Sequence, residues 1–303
     1  MKEVYLIPYG GLGNQLFQFA CASALSKGGK INILCDWGSA RRNPSNQIEL
    51  RDLDLGPETV FIEKSIDNIS RRLLNLFLRL SAKGRTSSTL YRSGVFLLSI
   101  AISLRLGKIL KLEIGSGLGY SVIQRRRNLL LLGYFQTYKW AAEIIDEIQK
   151  VSTKSLSSKA LNLSNQLKSK EVLIIHVRRG DYMNENFGVL GDDYYTKALD
   201  AHKGKRFDEI WVFSDERELA GKISALNRVP NIIFVDDSDL SSSEILEIMR
   251  GGSGYIIANS SFSWWAATLR AKRDALVVSP NPWFKTKDTP TEIVDPSWIS
   301  IAW

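Results

Sequence analysis

The stretch VLIIHVRRGDY, residues 172–182, passes within eleven residues from an unbroken apolar run to the charged sequence Arg178-Arg179-Gly180-Asp181. An apolar run this short, with no polar alternation, predicts a strand buried on both faces, as in a parallel sheet. The abrupt switch to charge marks the carboxyl end of that strand. Working outward, IWVFSD (210–215), NIIFVDD (231–237), YIIANS (255–260) and ALVVSP (275–280) repeat the pattern, with helical patterns between them. Strands alternating with helices predict βαβ units and a parallel sheet, whose ligands bind beyond the carboxyl ends of the strands. HVRRGDY (176–182), FSDE (213–216) and NSSFSWW (259–265) all sit at predicted strand ends. Three polar clusters therefore converge on one sheet edge.

The first half opens in the same style. EVYLIP (3–8) reads as a strand, GGLGNQ (10–15) as a glycine turn, NQLFQFACASALSK (14–27) as a helix with Asn14 as its N-cap, and KINILCD (30–36) as a second strand. From about 40 to 125 the pattern is irregular and helix-rich. NLLLLGYF (128–135) predicts a strand and TYKWAAEIIDEIQK (137–150) a helix that closes this half. The Ser/Lys-rich stretch 151–170 reads as an exposed helix or as an interdomain connection. The expected division is an α/β domain at 1–150 carrying a helical insertion and a second, Rossmann-like domain at 151–303.

With 303 residues, 44% hydrophobic and 24% charged, the composition is that of a folded globular chain and excludes disordered or collagenous classes. Two cysteines, Cys21 and Cys35, are too few for a disulfide-stapled fold, so a reducing cytoplasm is expected. The apolar stretch at the start is too short for a signal peptide. Of the net charge of +8, residues 71–111 carry +9 with no Asp or Glu, which leaves −1 for the rest. Interleaved in that segment are LLNLFLRL (73–80) and VFLLSIAISL (95–104), each too short to cross a bilayer, which needs about 20 residues. Such helices either lie on an anionic membrane surface or belong to the core with solvated basic faces. Nucleic acid is disfavoured, because the segment is leucine-rich and its aromatics are limited to Phe77, Tyr91 and Phe96.

GGLGNQ presents backbone N–H groups at a helix N-terminus, which suits an anion or a sugar hydroxyl, so Gly11, Gly13, Asn14 and Gln15 are binding candidates. It is a poor dinucleotide fingerprint: Leu16 stands where the third glycine belongs, and Asp36 comes closest to the missing ribose carboxylate. His176 and Arg178, two apart, share one face of the strand end. An arginine there can grip a diphosphate with paired hydrogen bonds and neutralise the charge that develops as a nucleoside diphosphate leaves. Asn259, Ser260, Ser261, Phe262 and Ser263 straddle a strand end and a helix beginning at Phe262 or Ser263, which offers a phosphate cradle. The plainer alternative is a serine cap with two tryptophans in the core. Ser214 and Asp215 occupy an equivalent position and suit the base or ribose of a nucleotide. For a general base, Asp181 and Glu185 are nearest in sequence, with Asp181 preferred; an aspartate after an arginine turn also serves as a partner of the arginine.

Together GGLGNQLFQFA, GYFQTYKW, HVRRGDY, FSDE and NSSFSWW, in this order, resemble the α-1,2-fucosyltransferases, a family related to α-1,6- and protein O-fucosyltransferases. The resemblance covers most of the chain. It implies a GT-B architecture, with two Rossmann-like domains facing a central cleft and GDP-fucose held by the C-terminal one. It also implies metal-free, cofactor-free inversion at the anomeric carbon, with the 2-hydroxyl of a galactoside as nucleophile. Arg178 would bind the diphosphate with His176 beside it; Ser261, Phe262 and Ser263 would line the phosphate and fucose pocket; Asn14 would reach across from the first domain; Ser214 and Asp215 would lie on the nucleotide side. Two departures stand out: FSDE replaces the commoner FSDD, and MRGGSGYIIANSS carries Gly251, Gly252 and Gly254, which are expected to loosen the turn before NSSFSWW. The expected partners are GDP-fucose, a galactose-terminated, lipid-linked oligosaccharide of a bacterial surface glycan, and an anionic membrane through 71–111. Two rival readings remain: a metal-dependent transferase using Asp236, Asp237 and Asp239, and a non-catalytic galactoside-binding module using the eight tryptophans as stacking platforms.

Overall fold

The strands run in chain order as β1 (Val4–Leu6), β2 (Ile31–Leu34), β3 (Leu53–Asp54), β4 (Thr59–Ile62), β5 (Leu110–Gly115) and β6 (Asn128–Gly133). They continue as β7 (Ser152–Thr153), β8 (Val172–Val177), β9 (Glu209–Ser214), β10 (Ile232–Phe234), β11 (Gly254–Ile256), β12 (Leu276–Asn281) and β13 (Ile299–Ala302). They come from a computed structural model that describes residues 3–37, 47–63, 72, 89–106, 110–115, 128–180, 187–285 and 292–303. The chain divides into two compact units, Met1–Arg51 with Leu55–Val151, and Asp52–Asp54 with Ser152–Trp303. The short excursion at 52–54 belongs to the second unit because β3 pairs antiparallel with β7.

The first unit is built on a parallel five-stranded sheet of order β4-β2-β1-β6-β5. The helix Leu12–Ser26 follows β1 and ends where Lys27 and Gly28 both turn to positive φ. Glycine tolerates that conformation without steric cost, which is why a glycine suits position 28. Between 40 and 125 the expectation of irregular, helix-rich chain is only partly met. The helix Thr89–Leu106 is present, but β4 and β5 also lie here and complete the sheet. The helix expected at 137–150 is two short ones, Tyr138–Glu143 and Ile145–Ile148, separated at Ile144, whose φ of −127° and ψ of 28° are not helical.

The second unit carries a parallel six-stranded sheet of order β10-β9-β8-β11-β12-β13. The chain steps outward from β8 to β9 and β10, then returns to the other side of β8 with β11 and steps outward again. This is the doubly wound Rossmann order, and its reversal falls between β8 and β11. All six residues of β8 are buried. On one face Leu173, Ile175 and Val177 join Ile256, Ala258, Val278 and the tyrosines of helix Asp192–Asp200 in a continuous core. Each fully buried side chain of this kind contributes about 1.5–3 kcal/mol. Elsewhere in this unit, helix Ser242–Met249 packs against both Ser158–Lys168 and Ser261–Thr268. Its start is fixed by a capping box in which Ser241 accepts the Glu244 N–H while the Glu244 carboxylate accepts the Ser241 N–H. Backbone N–H groups that donate to its carboxylate, Ser241's foremost and Ser157's with it, hold Glu244 down to a pKa of about 2. The stretch 151–170 resolves into β7 and the Ser157-capped helix Ser158–Lys168.

Candidate active site

The carboxyl end of β8 gathers the strongest polar cluster of the second unit. Strand alternation puts His176 and Arg178 on the side of β8 opposite to Leu173, Ile175 and Val177. Register pairs Val177 with Ser214, so the next residue of the β9 turn, Asp215, stands beside Arg178. One Asp215 oxygen lies 3.3 Å from Arg178 Nε and the other accepts the Arg179 N–H at 2.9 Å. Gly180 keeps this turn close: a Cβ there would sit 2.7 Å from Asp215 Oδ2. Asp215, expected on the nucleotide side, is therefore the group that holds the arginine turn. Its neighbour Ser214 accepts the Glu216 N–H at 3.1 Å and shapes the same corner. Arg178 keeps a side chain 30% exposed. Arg179 is buried and acts electrostatically on Tyr195, whose phenol burial raises while Arg179 pulls the other way.

His176 is 5% exposed, and burial, reinforced by the charge of Arg178, lowers its pKa to about 3. At neutral pH it is an uncharged imidazole. Its Nδ1 is buried and has no hydrogen-bond partner among the described residues, and its ring centre is 6.1 Å from that of Phe262. A buried polar atom left unmet costs about 1–3 kcal/mol, which a hydrogen bond from a bound group beside Arg178 would offset.

Phe262 belongs to the turn after β11, directly across the strand reversal. Helix Ser261–Thr268 begins one to two residues earlier than expected, with Ser260 as N-cap accepting the Phe262 N–H at 3.3 Å. Ser261 and Phe262 are partly exposed at its first turn. Two residues of this motif are also engaged in hydrogen bonds within the fold. Ser263 is buried and shares its hydroxyl proton between the carbonyls of Ser260 and Ala258, and Asn259 donates to the Gly188 carbonyl at 3.1 Å, tying down the chain beyond the β8 turn. The glycines before the motif do not loosen it. A Cβ on Gly252 would come within 2.4 Å of Ile174, and one on Gly254 within 2.8 Å of Phe207, so these glycines permit close packing.

The glycine turn after β1 is organised differently. The N-cap is Gly11, and Asn14 lies inside the first helical turn, so the expected cap is displaced by three residues. Gly10, at φ +79°, lets the chain turn sharply into the helix. Gly13 is buried within the helix. Gln15 is buried and donates to the carbonyls of Gly10 and Gln47, both at 2.7 Å, while accepting the Leu50 N–H. Asn14 accepts from Gln136 at 2.7 Å, in the loop after β6, the strand next to β1. Two residues that the sequence reading passed over complete the turn. Gln136 is one; Gln18 is the other, fully buried and paired with both the N–H and the carbonyl of Tyr9. The available signal for Gln18 was a glutamine in an otherwise apolar helix.

The family model for glycosyl transferase family 11 matches residues 118–302, which span the β6 loop and the whole β8–β11 site. The chain belongs to glycosyl transferase family 11. It is 28% identical to the Escherichia coli O-antigen biosynthesis glycosyltransferase WbnK, over 96% of this chain and 98% of that protein. It is 25% identical to an Escherichia coli alpha-1,2-colitosyltransferase, over 92% and 91% of the two chains. In fold it is similar to a family 9 glycosyl transferase from Veillonella parvula, with a TM-score of 0.50 at 6% identity, covering 99% of this chain and 87% of that one. The architecture of this family 11 transferase is of GT-B type, with two Rossmann-like α/β units.

Two rival readings can now be placed on this glycosyl transferase. Asp236 accepts from Ser238 and faces Arg217 at 3.3 Å and Lys159 at 3.8 Å, and Lys159 also lies 3.6 Å from Asp239. Among the described residues no group of three or more His, Cys, Asp or Glu is arranged to hold a metal. Of the eight tryptophans, Trp140, Trp211, Trp264, Trp265, Trp283 and Trp298 are buried, which removes them as stacking platforms. Asp181 and Glu185 lie outside the described residues.

Proposed function

We propose that this family 11 transferase moves L-fucose from GDP-β-L-fucose to the 2-hydroxyl of a β-galactoside, with inversion and without a metal. The observation that carries the proposal is the β8 end. Arg178 is held there by Asp215 beside an uncharged, hydrogen-bond-deficient His176, next to the start of helix Ser261–Thr268. A sugar nucleotide needs such a place. As the acceptor oxygen bonds to the anomeric carbon, the bond from that carbon to the diphosphate breaks and its electron pair goes to a phosphate oxygen. The guanidinium fork meets that growing charge with directed N–H donors. A helix N-terminus adds roughly half an elementary charge of the same sign. His176, being neutral, offers hydrogen bonding without repelling Arg178.

Asp181 is the assigned acceptor of the hydroxyl proton, with Glu185 as its alternate; both follow from their places in the sequence. The second unit is assigned the donor and the first the acceptor. The α-1,2 linkage rests on the fucosyltransferase resemblance and on the linkage in the name of the colitosyl relative, and the surface-glycan setting on the O-antigen relative. On this reading the acceptor is lipid-linked and presented on the cytoplasmic side.

The deciding experiment incubates the protein with GDP-fucose and a panel of galactosides, with and without EDTA, followed by linkage analysis. The expected product is fucosyl-α-1,2-galactose at equal rates in both conditions. Turnover abolished by EDTA and restored by Mn²⁺ would transfer the chemistry to a metal site and overturn the proposal.

A further inference from the structure

Helix Thr89–Leu106 presents an apolar surface to solvent. Leu90 is 75% exposed, Phe96 65% and Leu104 78%, and Leu97 and Ile100 are exposed as well, while Leu98 is buried. At about 100° per residue these five side chains fall within one stripe roughly 120° wide, in which the small polar residues Thr89 and Ser93 also lie, and the helix contains two arginines and no acidic residue. An apolar stripe of this kind is a poor surface to leave in water. It is not a membrane span: among the described residues no helix is long and apolar enough to cross a bilayer, and Leu98 ties the opposite side of this helix into the protein.

We propose that the helix Thr89–Leu106 seats this transferase on an anionic lipid bilayer, lying in the plane of the interface with Leu90, Phe96, Leu97, Ile100 and Leu104 inserted among the headgroups. The occupant is identified by charge. The segment 71–111, which contains the helix, carries nine Arg and Lys and no Asp or Glu, whereas the remainder of the chain sums to −1. A protein partner covering an apolar stripe does not require its surroundings to be stripped of acidic residues. A negatively charged surface does, since each basic residue near it is drawn in and each acidic residue repelled. Apolar insertion and electrostatic attraction then act together, as interfacial amphipathic helices require. The inference stands independently of the donor and acceptor assigned above.

The test is co-sedimentation of the full chain with mixed phosphatidylcholine and phosphatidylglycerol vesicles and with pure phosphatidylcholine vesicles. Binding is expected to the anionic vesicles alone at low salt, with release at roughly 0.5 M salt, where the Debye length is a few Å. The triple variant Phe96→Ser, Leu97→Ser, Leu104→Ser should partition roughly tenfold or more weakly, since it removes three apolar side chains from insertion. Its thermal melt and its turnover of a soluble galactoside should match the parent protein; the single Leu104→Ser variant should show a smaller loss in the same direction. Equal binding to both vesicle types, binding to neither, or undiminished binding by the variants would overturn the proposal. So would a concentration-dependent dimer that the triple variant abolishes, because the stripe would then belong to a second copy of this chain.

Discussion

The turn after β1 and the turn after β8 occupy the same place in their two sheets, each at the carboxyl end of a strand where the order reverses, yet they treat their polar groups in opposite ways. In the first, Gln15 joins three backbone groups, Gln136 donates to Asn14, and Gln18 closes on Tyr9. In the second, Asp215 fixes the arginine turn while the buried Nδ1 of His176 is left without a partner among the described residues. Polar side chains that satisfy one another make a rigid scaffold. A buried polar atom short of partners beside an exposed arginine carries a desolvation cost that a hydrogen bond from a bound ligand would offset.

The sharpest way to break this contrast is to remove Arg178. Arg178→Ala is expected to lower kcat with GDP-fucose by about 10³-fold, and Arg178→Lys by about 10²-fold, the former a loss of roughly 4 kcal/mol of transition-state stabilisation. The fold should survive, since Arg178 lies beyond the end of β8 and outside the apolar core cluster of this unit. Equal activity of folded Arg178→Ala and wild type in a steady-state assay would show that the diphosphate is held elsewhere.

Gln15→Leu probes the other turn. It strands the Gly10 and Gln47 carbonyls and the Leu50 N–H, so a urea melt should show a loss of about 2–3 kcal/mol. GDP affinity of the folded fraction should hardly change. A selective loss of GDP binding at unchanged stability would make this turn a ligand site after all.

Acid should distinguish the two turns a third way. The folded pKa of His176, about 3, lies below its ordinary value near 6.5, so the unfolded chain binds the proton first. Stability from this group is complete above pH 6.5 and falls as pH drops toward 3, by about 2 kcal/mol at pH 5. His202, also lowered mainly by burial, acts in the same direction. His176→Gln should therefore lose about 2 kcal/mol less than wild type between pH 7 and pH 5 in paired urea melts; identical losses would mean that His176 is not held neutral. A smaller effect is expected from Gly180→Ala, whose Cβ would press on Asp215 Oδ2 and shift it from Arg178. A fall of about tenfold in kcat/KM, or ~1.4 kcal/mol, with an unchanged melt would fit; no kinetic change would deny Asp215 its positioning role.

Much of the second unit was legible because buried parallel strands are written as unbroken apolar runs, as in β8 and β12, and because polar residues at their ends break those runs abruptly. β4, β5 and β13 are not marked by a continuous apolar run: Thr59 opens β4 and Glu63 follows it, Lys111 and Glu113 interrupt β5, and Ser300 interrupts β13. Within the site, Arg178 and His176 could be read from alternation over two residues. The pairing of Asn14 with Gln136 spans 122 residues and depends on β6 lying beside β1, which no local spacing encodes. Gly252 and Gly254 misled for a related reason: a glycine in sequence suggests freedom, and only the packed neighbours Ile174 and Phe207 reveal that it marks a tight approach.

The central claim is that the β8–β11 reversal binds a nucleoside diphosphate through protein cations and dipoles. The most direct measurement is a calorimetric titration of GDP into wild type, Arg178→Ala and Gln15→Leu, all in EDTA. Wild type and Gln15→Leu should bind with similar affinity, and Arg178→Ala about 10²-fold more weakly, the loss of a charged paired donor being worth about 3 kcal/mol. Metal-dependent binding, or an undiminished affinity in Arg178→Ala, would contradict the account.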